Sequence, residues 1–147
     1  MCYKYIFVSS VKESRMKRLL PILSCLLFSS VLYGQLLTWT PAFPRENDNV
    51  TITVDASKGN QGLFNYSNPN DVFVHIGLIT SASSNPGDWK HGPFDWPGTL
   101  PASKATSLGS NKYSFTINNI RTYFNVPAGE TIYKIAILFR NGNGQQK

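Results

Sequence analysis

The segment HIGLITSASSNPGDWKHGPFDWPG, residues 75–98, holds both histidines of the chain and two of its three tryptophans. Trp89 and Trp96 are stiff, amphipathic rings in Gly- and Pro-rich surroundings. An indole face held on a loop can stack against a flat apolar surface, and the face of a pyranose ring is such a surface. His75, Lys90, His91 and Asp95, with Asn85, lie near enough in sequence to hydrogen-bond sugar hydroxyls. His75, Trp89, Lys90, His91, Asp95 and Trp96 are therefore the candidate carbohydrate-binding residues. The competing role is packing. Large aromatics are mostly buried, so either tryptophan can equally cover an open end of the fold.

Other chemistries find less support. G-x-S-x-G, H-E-x-x-H and a Gly-rich phosphate loop with its lysine are all absent from the sequence. Asp88 and Asp95 could form the carboxylate pair of a glycosidase. Two aspartates in a loop are, however, ordinary turn formers. His75, His91 and Asp71 could meet at a metal, but their spacing matches no ligand pattern. Glu46, Asp48 and Asn49 lack the glycine and alternating ligands of a calcium loop. The expectation is a noncatalytic chain without cofactor or metal.

The elements that must hold these residues read as strands. Val50, Ile52 and Val54 alternate with Thr51, Thr53 and Asp55, a half-buried strand. Val72, Val74, Ile76 and Leu78 share one face of a second strand, and Phe73, His75, Gly77 and Ile79 share the other. That strand is apolar on both faces, as a central strand is. Tyr113, Phe115 and Ile117 alternate with polar partners. In TIYKIAILFR, Tyr133, Ile135, Ile137 and Phe139 are expected inside, with Lys134 and Arg140 free to face water. Turn signals such as SNPND, SNPGD, LGSN and PAG separate the runs. Only IRTYF, 120–124, suggests a helical turn. Strands are expected near 36–42, 50–56, 72–79, 112–118 and 131–140, with Trp39 a packing residue in the first. This is an all-β, immunoglobulin-like antiparallel β-sandwich. Its strongest strand, 131–140, is followed by NGNG, a hairpin turn without a return strand. The sandwich is expected to lack its last strand and strand 131–140 to have one open edge.

The first third of the chain carries most of its charge imbalance. Lys17 and Arg18 precede LLPILSCLLFSSVLYG, an apolar run with a small residue at Gly34. That is the pattern of a secretory signal peptide over residues 1–34, cut between Gly34 and Gln35. The compact start at Met16 suggests that residues 1–15 precede the true initiator; the alternative is a long n-region. A lipid anchor on Cys25 fits poorly, since the apolar run continues past it. The whole chain has a formal net charge of +6. Without residues 1–34, nine Lys/Arg face seven Asp/Glu, a charge of +2, so the module at 35–147 has no basic footprint for nucleic acid. Both cysteines, Cys2 and Cys25, lie in the leader, leaving no disulfide. The module is expected to be secreted or at the cell surface, with no membrane segment after cleavage.

Several stretches together carry a resemblance. DVFVHIGLITSASSNPGDWKH, SLGSNKYSFTINNIRTYFNVPAGETIYKIAILFRNGNG and TPAFPRENDNVTITVDASKGNQGL are similar to the N-terminal module of secreted Bacteroidetes α-amylase-family glycosidases. They cover nearly all of residues 36–144. The resemblance implies an immunoglobulin-like, starch-binding-type β-sandwich that precedes a covalently linked catalytic domain, with an α-glucan as polysaccharide partner. It assigns no sugar-contacting residue, so the six candidates rest on their chemistry. The alternative is a ligand-free structural spacer.

Overall fold

A computed structural model describes residues 35–96 and 98–147. The expected signal peptide, the start at Met16 and the reading of Cys25 lie outside those residues. Among the described residues, six strands form two antiparallel sheets. The first, in the order β1-β2-β5-β4, contains β1 (Leu37–Thr40), β2 (Val50–Asp55), β4 (Thr106–Gly109) and β5 (Lys112–Ile117). The second pairs β3 (Val72–Thr80) with β6 (Ile132–Asn141). A single helical turn, α1 (Ile120–Tyr123), follows β5. The fold is an all-β antiparallel sandwich, as the period-two patterning requires.

The core lies between the sheets. In β2, Val50, Ile52 and Val54 turn inward in register with Ile117, Phe115 and Tyr113 of β5. From the second sheet Val72, Val74, Ile76, Leu78 and Phe139 meet them, with Ile135 and Ile137 partly buried alongside. Each such side chain contributes about 1.5–3 kcal/mol by leaving water. On the outer face of the first sheet, the Thr51 and Thr116 hydroxyls hydrogen-bond across the strands at 2.9 Å. Asn119, at φ 49°, accepts the Thr122 N–H through its side chain at 3.1 Å, starting α1 where β5 ends.

The structure departs from the expected elements in four places. Trp39 stands opposite Ile52, yet it is 50 % exposed, since it borders an open trough between β1 and β6 that no strand among the described residues fills. Its indole N–H donates to the Ala42 carbonyl at 3.1 Å instead of packing in the core. Strand β4 had no alternating signal; Gly109, Ser110 and Asn111, all at positive φ, fold it back onto β5. Tyr133 is 61 % exposed, not inward. Thr80 pairs with Ile132 while Ile79 pairs with Lys134, so Tyr133 is the extra residue of a bulge and Ile132 takes the inward position. Finally, β3 is buried on both faces without strands on both sides. One edge pairs with β6; the other carries only single bridges to Lys90 and Lys104. Among the described residues, no strand pairs with the far edge of β6.

Candidate functional site

The second sheet turns Phe73, His75 and Gly77 outward from β3, opposite Arg140, Leu138 and Ala136 of β6. The long connection after β3 folds back over this outer face. Leu78 N–H donates to the Lys90 carbonyl at 2.8 Å, and Lys90 N–H returns a bond to Leu78 at 2.7 Å. This double bond lays Trp89 directly over Gly77. A Cβ at residue 77 would stand 3.1 Å from both the Lys90 carbonyl oxygen and the Trp89 Cβ, so the close approach depends on glycine.

Upstream, the turn is tied at Asp88. One carboxylate oxygen accepts the Ser84 N–H and hydroxyl at 2.9 and 3.1 Å, and the other meets Lys90 Nζ at 2.9 Å. The Ser84 backbone N–H first, then Lys90, hold the Asp88 pKa down at about 2. With the turn fixed, Trp89 stacks on His75, centroids 5.6 Å apart and planes 22° apart. Trp96 approaches the same imidazole edge-on, at 5.3 Å and 82°. The two indoles are therefore not coplanar; they form a corner with His75 at its base.

Arg140 closes the corner from below. It was expected to face water, but it is only 1 % exposed. The loop that covers the outer face of β3 and β6 buries it. Its guanidinium lies 4.8 Å from the Trp96 ring centre and 5.9 Å from that of Phe73. It donates to the Asn141 and Gly142 carbonyls, both at 3.0 Å, and to the Gly98 carbonyl. Lys147 Nζ sits 5.5 Å from the Trp96 ring. Trp96 remains 43 % exposed, and Trp89 is half-buried.

The structure thus brings His75, Trp89 and Trp96 together and adds Phe73, Arg140 and Lys147. The other three candidates do other things. Lys90 is paired with Asp88. His91 Nε2 meets Glu130 Oε1 at 2.9 Å, beside Arg121, which bonds Glu46 at 2.6 Å and the Glu130 carbonyl at 2.9 Å. Asp95 is exposed in a turn, where its backbone carbonyl accepts the Gly98 N–H at 2.8 Å. Arg140 was legible only as an odd charge in an apolar strand. Nothing local shows that a loop roughly fifty residues earlier would roof it.

Burial first, and the Arg140 charge second, lower the His75 pKa; its Nδ1 is buried without a hydrogen-bond partner. The unfolded chain therefore takes up this proton at higher pH than the folded one does. Stability from neutral His75 is present above the ordinary histidine value of 6.5 and is lost as pH falls below it. Thermal unfolding between pH 7.5 and 5 should show this loss, and His75→Phe, which keeps a ring against Trp89, should reduce it. Identical pH profiles for the two proteins would refute the coupling.

Among the described residues, no three His, Cys, Asp or Glu side chains group closely enough to hold a metal ion. No described helix is long and apolar enough to cross a membrane. No protein-family model matches the chain, and no curated protein matches it.

Proposed function

We propose that the chain is a noncatalytic carbohydrate-associated module of a secreted α-amylase-family glycoside hydrolase, lying ahead of a covalently linked catalytic domain. Its partner is an α-glucan, engaged at the Trp89–Trp96 corner. The observation that carries this reading is the 43 % exposure of Trp96, a ring backed by the Arg140 guanidinium and set edge-on to His75, on which Trp89 stacks. An indole held by Arg140 and Lys147 loses little freedom when a sugar packs on the part of the ring left exposed. The strand order also supports an immunoglobulin-type module. The sheets β1-β2-β5-β4 and β3-β6 match the A-B-E-D and C-F pairings of that fold.

The corner geometry sets the strength. Ring stacking is worth roughly 1–3 kcal/mol per contact, by analogy with bases on aromatic side chains. One open face gives weak, roughly millimolar binding. Because the two indoles are not coplanar, the corner suits one sugar ring against Trp96, with a neighbour against the Trp89 edge, better than a flat run of stacked rings.

A ligand-free spacer is the second reading, and one observation favours it. His75 already covers one face of Trp89, as Arg140 covers one of Trp96. Electrophoresis of the protein through gels with and without glycogen separates the two. The module reading expects glycogen to retard the parent, and Trp96→Ala to remove the retardation while the melting temperature falls by only a few degrees. A parent whose mobility ignores both glycogen and soluble starch leaves the spacer.

A further inference from the structure

Arg140 is a cation buried without an anion. It is 1 % exposed, and among the described residues no carboxylate lies within ion-pair distance of its guanidinium. Its hydrogen bonds go to the Gly98, Asn141 and Gly142 carbonyls, and its buried Nε has no partner. Asp71, whose charge acts on it, spends one oxygen on the Tyr66 hydroxyl and the Gly142 N–H. Buried charges are ordinarily paired, and surroundings of low dielectric carry their field further than water does. The corner around Trp96 is therefore electropositive.

Two exposed lysines extend that charge. Lys147 Nζ stands 5.5 Å from the Trp96 ring, beside which the Arg140 guanidinium also lies, at 4.8 Å. Lys104 bridges Phe73 in antiparallel register, and Phe73 in turn pairs with Arg140. Residues paired across strands share a face, and Ser103 and Ala105 on either side of Lys104 are buried. Lys104, Phe73 and Arg140 thus form one row across the outer face of the second sheet. Two strand spacings, about 10 Å, separate its two cations. Among the described residues neither lysine has a carboxylate within ion-pair distance, whereas Lys90 is spent on Asp88. The acid nearest Trp96 in sequence is Asp95, exposed in the preceding turn.

We propose that the corner takes an α-glucan carrying phosphate monoesters in preference to the neutral polymer, with Trp96 against a sugar ring and Lys147 on the phosphate. This rests on the sugar-binding reading and narrows its ligand. A phosphate monoester brings nearly two negative charges and three strong acceptor oxygens at neutral pH. A lysine ammonium on a flexible stem meets such a group as a point charge, without demanding one geometry. Arg140, already bonded to three carbonyls, adds its field without touching the phosphate. Lys104 supplies a second ammonium for an ester elsewhere on the same chain. Asp95 works against the anion.

Titration calorimetry at neutral pH compares phosphorylated soluble starch with the same starch after phosphatase treatment. At low salt the phosphorylated polymer should bind about five-fold more tightly or better, as two exposed charge contacts allow. Molar salt should shrink that ratio to about two-fold or less by screening. Lys147→Gln should bring it below about two-fold, Lys104→Gln should lower it less, and Asp95→Asn should raise it. All three side chains are exposed, so the melting temperature should hold within about 2 °C. Trp96→Ala should remove binding to both polymers. Equal affinity for the two starches overturns the proposal and leaves the sugar-binding reading standing, whereas binding to neither defeats both. Phosphorylated starch still held by Trp96→Ala, or polygalacturonate held as tightly as phosphorylated starch, means bare charge attraction and also overturns the proposal.

Discussion

Arg140→Ala should destabilise the protein by about 3 kcal/mol, lowering the melting temperature by roughly 10–15 °C. The guanidinium satisfies the Gly98, Asn141 and Gly142 carbonyls and fills the space between Phe73 and Trp96. Truncation strands three acceptors and removes the support of the exposed indole. Those costs exceed what is recovered by no longer burying a charge. Burial does act against that charge, since it lowers the Arg140 pKa, with Asp71 pulling weakly the other way. Arg140→Lys separates the contributions: an ammonium keeps the charge but cannot serve carbonyls on both sides of a planar fork. It should lose more than half as much stability as alanine does. A loss below about 3 °C in both variants would mean that water or the backbone replaces the guanidinium, and that Arg140 does not hold the corner.

Gly77→Val should detach the covering loop while leaving the sandwich folded. The branched side chain cannot fit where a single Cβ already stands 3.1 Å from Lys90 and Trp89. Either β3 shifts against β6 or the Leu78–Lys90 bridge breaks, and the bridge rests on two hydrogen bonds whereas the strand pairing runs along the whole of β3. Overpacking of this sort costs about 1–3 kcal/mol. Three readings should move together: lower stability, red-shifted tryptophan emission as Trp89 meets water, and, on the proposed function, weaker retention in glycogen. Emission and retention that stay at parental values would show that the loop holds itself over the sheet without the close contact at Gly77.

How far these residues could be read in advance depends on the range of the forces that place them. Val50 to Asp55 and Tyr113 to Ile117 form strands because alternation alone buries one face and wets the other, a property of neighbours in the chain. The long strands of both sheets were legible for that reason, with ends shifted by one or two residues. Strand β4 was not, because it exists only as the leg leading into the turn at Gly109–Asn111, from which β5 returns. Tyr133 was misplaced because it is the extra residue of a bulge that turns Ile132 inward while Ile135, Ile137 and Phe139 keep their expected face, and a bulge leaves no mark in a pattern of apolar residues.

The Trp89–Trp96 pair divides in the same way. Composition alone settled that two stiff rings would sit on a Gly- and Pro-rich loop next to the strand of His75, since such a loop cannot build a core of its own. Only the tertiary structure decided which face they cover, that they meet at an angle, and that Lys90 and His91 are spent on Asp88 and Glu130. It also decided the role of Arg140. An arginine flanked by Phe139 and Asn141 reads as solvent-facing until a distant loop removes the solvent, and burial of a charge is set by what closes over it, not by its neighbours in sequence.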